Sequence, residues 1–121
     1  MSNINKLVFF SVFNGSTDDL ANHDDVLTRF KDLNPLEVNG CYKGVQEKSI
    51  CLSFDHIELI LNITRRYKQE SILIVDHKFN SELKFLNNSP SIKGSMKWVD
   101  RKTALKCESW SHFNGSYLVS N

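Results

Sequence analysis

A chain of 121 residues makes one domain, spanning 1–121, large enough to bury about two thirds of its unfolded surface without disulfide or metal staples. Fifteen basic and fourteen acidic residues leave a net charge of +1, and no basic run exceeds Arg65-Arg66. That balance excludes the electrostatic footprint of a nucleic-acid binder and points to a small ligand.

Leu7-Val8-Phe9-Phe10-Ser11-Val12-Phe13 is a near-continuous apolar run of strand formers ending at Asn14-Gly15, and it reads as a central strand. It is too short to span a membrane and lacks a basic flank and a cleavage site, so the expectation is a cytoplasmic protein without membrane contact. Ser16-Thr17-Asp18-Asp19 supplies a capping-box-like start, after which Val26, Phe30 and Leu33 recur at i, i+4 and i+7 up to Asn34-Pro35. That spacing predicts an amphipathic helix. Two strands follow, Leu36 to Tyr42 and Lys48 to Phe54, joined by a turn at Gly44. Asp55-His56-Ile57-Glu58 opens a second helix with Ile57, Ile60, Leu61 and Thr64 on one face, and Ser71 to Val75 is a further buried strand. The order β-α-β-β-α-β predicts an α+β, ferredoxin-like sheet, extended by C-terminal strands near Leu83-Phe85, Met96-Trp98 and the Asn114-Gly115 hairpin signal.

Two helices cover one face of such a sheet, yet the strands at Leu7 to Phe13 and Ile72 to Val75 are apolar on both faces. Something must cover the second face. The C-terminal strands could fold back over it, or copies of the chain could pack sheet to sheet, as in PII-like trimers.

Cys41, Cys51 and Cys107 show no paired spacing, and the four histidines are scattered, so no metal site and no bound cofactor is expected. The chemistry concentrates instead in Asn39-Gly40-Cys41-Tyr42-Lys43-Gly44-Val45-Gln46-Glu47-Lys48-Ser49, where a phenol and a carboxylate flank a glycine-punctuated turn. A hairpin would bring Tyr42 and Glu47 together, although by itself such a pair is more often two solvated hairpin residues. Ser11 and Phe13 at the end of the first strand, and Asp76 and His77 after the late strand, are pocket candidates by position.

Gly40-Cys41-Tyr42 followed by Glu47-Lys48-Ser49 resembles the phage-encoded S-adenosylmethionine lyases, formerly described as hydrolases. The similarity extends through Ser11-Val12-Phe13, Ser71 to Val75 and Lys93-Gly94-Ser95-Met96, with a shorter connection over Lys43 to Gln46. The resemblance implies S-adenosylmethionine as substrate and a homotrimer with its site between subunits. It also implies Glu47 as the main catalytic carboxylate and Tyr42 as its partner. In a phage the activity would deplete the cofactor of host methyltransferases and some restriction enzymes. Two alternatives stand beside the lyase: a hydrolase in which Glu47 activates water, and a non-catalytic PII-like ligand-binding or inhibitor protein.

Overall fold

The computed structural model describes residues 6–42, 44–107, 109–113 and 115–120, with backbone alone at Tyr42 and Phe113. The first strand, β1 (Leu7–Phe10), is followed by helix α1 (Asp19–Arg29), strands β2 (Leu36–Tyr42) and β3 (Val45–Ser53), helix α2 (Ile57–Arg66) and β4 (Ser71–Val75). Strands β5 (Asn80–Phe85) and β6 (Ile92–Val99), the short helix α3 (Arg101–Ala104), and strands β7 (Trp110–Phe113) and β8 (Ser116–Ser120) complete the chain. The eight strands close into a barrel in the order β1-β3-β2-β7-β8-β6-β5-β4, and every neighbouring pair is antiparallel.

The expected ferredoxin-like, PII-like sheet is therefore corrected to a closed barrel. The four strands of the N-terminal half do lie side by side as β4-β1-β3-β2, but their outer edges do not end the sheet. β5 pairs with β4 through Leu73↔Leu83, β7 pairs with β2 through Gly40↔Ser111, and β6 and β8 bridge the gap. Closure removes the exposed edges that an open sheet would present.

Closure also accounts for the strands that are apolar on both faces. Alternate residues Val8, Phe10, Ile50, Leu52, Ile72 and Ile74 point outward and pack under α1 and α2 against Val26, Ile60 and Ile63. The intervening residues Phe9, Cys51 and Val75 point into the barrel and meet Val38 and Leu118. Of the two expected covers, the second face thus takes the chain's own C-terminal strands, and it gives no reason for copies to pack sheet to sheet into a trimer.

Helix α1 starts without a side-chain cap at Asp18. Asp19 instead reaches back, its carboxylate accepting the N–H groups of Asn14 at 3.0 Å and Gly15 at 3.1 Å. Gly15, in the connection from β1 to α1, has φ +86°, a conformation in which a Cβ would be strained. In α2 the buried stripe is Ile60, Ile63 and Thr64, with the Thr64 hydroxyl donating to the Ile60 carbonyl at 2.8 Å. Among the described residues no helix is long and apolar enough to cross a membrane.

Candidate active site

β1 and β3 are antiparallel with Phe10 opposite Ile50, so the end of β1 and the beginning of β3 share one mouth of the barrel. The beginning of β4 joins them, because Phe9 faces Leu73. At this mouth opens a cavity of about 1060 Å³ that continues into the lumen. Its deep wall is apolar, with Phe9, Leu73, Leu83, Met96 and Leu118, while Ser49, Ser71, Ser81 and Ser111 put small hydroxyls between them. A concave, mostly apolar space with a few convergent polar groups is the usual form of a small-molecule site.

Glu47 lines this cavity, half-buried on β3 and directly opposite Gly40 of β2. Burial raises its pKa above the ordinary value of 4.5 and the negative charge of Asp19 adds to the rise, while a hydrogen bond from the Ser11 side chain opposes it. Ser11 is buried, and its hydroxyl accepts the Phe13 N–H at 2.9 Å and can donate to the Lys48 carbonyl at 3.1 Å. One hydroxyl proton cannot serve the Lys48 carbonyl and the Glu47 carboxylate at once, so these two acceptors share it.

Phe13 lines the same mouth. Its ring meets His23 of α1 edge-on, with centroids 6.0 Å apart, and its carbonyl accepts Gln69 Nε2 at 2.6 Å. Gln69 follows α2 and itself borders the cavity, so it ties the lip formed by residues 13–16 to the lip formed by the approach to β4. Sequence reasoning missed Gln69 and Asp19, because one reads as a helix-terminal polar residue and the other as a cap. A helix-flanking Gln beside a strand end was the only sign available.

Of the six candidate residues, the structure brings Ser11, Phe13 and Glu47 together and sets two apart. Val75 faces Leu7, so Asp76 and His77 lie at the opposite mouth from Glu47. There the Asp76 carboxylate organises a turn, accepting the N–H groups of Lys78 and Asn80, both at 2.9 Å, and Asn80 Nδ2 at 3.1 Å. Desolvation works against its ionisation, but the bonds from Asn80 and Lys78 prevail and hold its carboxyl below the ordinary range. Tyr42 belongs to β2, but its side chain lies outside the described residues.

Behind the cavity, on the outer face, His23 is fully buried and its Nε2 lies 2.7 Å from Glu37 Oε2, which Lys48 Nζ also approaches at 3.5 Å. The hydrogen bond to His23 leads in lowering the Glu37 carboxyl below 4.5, and Lys48 adds to it. His23, Asp24 and Glu37 are, among the described residues, a group whose ligand atoms lie within 4.8 Å of one another. Its Nε2 is spent on Glu37, and none of the three residues borders the cavity, so the group reads as the clamp joining α1 to β2 and β3.

Cys51 sits inside the barrel, where burial pushes its thiol up to about 12. A neutral thiol is a poor nucleophile and a poor metal ligand. Alkylating reagents that modify exposed thiols are expected to leave Cys51 unmodified in the folded protein, and Cys51→Ser to leave the products formed unchanged. Labelling of Cys51 at the rate of a free thiol, read by mass spectrometry, would contradict that.

No curated protein matches the chain. The model of the S-adenosylmethionine lyase family matches residues 8–120, from β1 through the last strand, and the chain belongs to that family.

Proposed function

We propose that the protein cleaves S-adenosylmethionine to 5′-methylthioadenosine and L-homoserine lactone, with the barrel cavity as the site. The observation that carries the reading is Glu47, a half-buried carboxylate with a raised pKa on the wall of a cavity large enough for a nucleoside, in a chain of this family. The substrate's sulfonium makes methylthioadenosine a neutral leaving group, and its own carboxylate can reach the γ-carbon. The carboxylate oxygen forms a bond to that carbon, the carbon–sulfur bond breaks, and its electron pair leaves on sulfur. No external base is consumed.

The protein's part is to fold the methionyl arm so that carboxylate and γ-carbon meet. Holding reacting groups in such a near-attack arrangement can lower a barrier by about 7–11 kcal/mol. Glu47, when ionised, attracts the ammonium or the sulfonium and so fixes one end of the arm. Ser11 holds the carboxylate's neighbourhood in place, and the apolar wall from Phe9 to Met96 suits the methylthioadenosyl half. Gln69 ties the two lips of the mouth together, and Asp19 holds the Asn14–Gly15 turn of one of them.

The raised pKa of Glu47 favours a second reading, in which it acts as a general base on water and the product is homoserine. Both readings share the same first test. Purified protein incubated with S-adenosylmethionine is expected to release methylthioadenosine in many turnovers; intact substrate after long incubation with folded protein at micromolar concentration would sink both.

A further inference from the structure

Gly40 lies inside β2 and Gly94 inside β6, and both border the cavity. Glycine inside a strand weakens it, since it costs more backbone entropy and packs nothing, so its presence marks a bulge or a close approach. Neither residue has the positive φ found at Gly15, Gly44 and Gly115. Backbone crowding does not require them either. A Cβ at Gly40 would meet the carbonyl oxygens of Glu47 and Trp110 at 3.6 Å, and one at Gly94 would meet Ser81 Oγ at 3.5 Å, all ordinary contacts.

What a side chain would fill is the lumen. Gly40 pairs with Glu47 on one side and with Ser111 on the other, and Gly94 pairs with Ser81. Those three partners all line the cavity, so the bare faces of both glycines look into it. In the barrel order β2 and β6 are separated by β7 and β8, which places the two gaps on well-separated parts of the wall. One stands beside the Glu47 carboxylate. The other stands beside Ser81 of β5.

We infer that Gly40 and Gly94 are specificity-determining positions, whose missing side chains hold the lumen open for the nucleoside half of the sulfonium substrate. The inference rests on the lyase reading for the identity of the substrate. It predicts that adding bulk at either position excludes nucleosides while the barrel stays intact, because β-branched residues favour strands.

The test compares wild type with Gly40→Val and Gly94→Val by thermal melting, by kinetics on S-adenosylmethionine, and by calorimetric binding of 5′-methylthioadenosine. Each variant is expected to melt no lower than wild type, with KM raised about tenfold or more and methylthioadenosine bound correspondingly more weakly, the scale on which pockets reject an extra small group. Gly40→Ala and Gly94→Ala, with their ordinary Cβ contacts, are expected to fold and to show smaller shifts in the same direction; they serve if a valine variant fails to fold. Folded variants with wild-type KM and wild-type affinity overturn the inference and leave the lyase reading standing. A wild type that binds methylthioadenosine but turns nothing over, with binding lost in the valine variants, supports the inference and overturns the lyase reading. A wild type that neither binds nor turns over overturns both.

Discussion

Glu47→Gln is expected to lower turnover of S-adenosylmethionine by about 10²-fold or more, the usual cost of removing one electrostatic contact to the reacting centre, while the barrel stays folded. The amide keeps the shape and deletes the charge, so the loss reports the charge. A variant with more than about half the wild-type rate would remove Glu47 from the chemistry. The pH dependence has a definite sign. Burial, with Asp19 adding, raises the folded-state pKa of Glu47 above 4.5, so a reaction that needs the carboxylate should lose rate on the acid side with a midpoint above 4.5. Stability runs the other way. The folded state holds this proton more tightly than the unfolded chain, so the group's contribution to stability is fully present below 4.5 and is lost as pH rises through the raised value. At neutral pH the charge costs stability, and Glu47→Gln should melt no lower than wild type. Lower melting together with lost activity would mean that Glu47 holds the fold instead.

Much of the N-terminal half is legible in the residues themselves. Val26, Phe30 and Leu33 do pack under the sheet, as do Ile57, Ile60 and Leu61, but the expected helix is shorter: α1 ends at Arg29 and Leu33 sits in a separate 3-10 turn, Lys31–Leu33. Boundaries shift where side chains compete with the ladder. The apolar run through Phe13 leaves the strand after Phe10, because the Ser11 hydroxyl accepts the Phe13 N–H and can bond the Lys48 carbonyl, while Val12 is buried under the helices all the same. β3 begins at Val45, ahead of the expected Lys48, because its ladder with β2 runs on through Gly40↔Glu47, Cys41↔Gln46 and Tyr42↔Val45, a backbone pairing that polar residues sustain without an apolar signal. Barrel closure was not legible. It rests on pairs such as Cys41↔Trp110 and Trp98↔Leu118, and no local pattern reports which distant strand will pair with which. The same blindness set Asp76 and His77 beside Ser11 and Phe13. All four follow apolar strands, but β1 and β4 run antiparallel, so their ends point to opposite mouths and it is Ser71, at the start of β4, that joins Ser11 at the cavity.

In water enriched in heavy oxygen, the released homoserine lactone is expected to carry no label. The ring oxygen comes from the substrate's own carboxylate, and water never touches the γ-carbon. Homoserine formed later by ordinary opening of the lactone should be labelled only in its carboxyl group, because water then attacks the acyl carbon. A hydrolase with Glu47 as base would instead place the label in the side-chain hydroxyl from the first turnover. The cavity favours the first outcome on physical grounds. The nucleophile is tethered to the electrophile, whereas water would have to be captured and aimed in a lumen whose deep wall is Phe9, Leu73, Leu83, Met96 and Leu118. Neutralising a carboxylate against a sulfonium is also easier where water is scarce, since the two charges lose less solvation on the way to the transition state than they would in bulk. Side-chain hydroxyl label in the earliest homoserine, with no lactone detected when product is quenched within a few turnovers, would overturn the lyase and leave Glu47 as the base of a hydrolase.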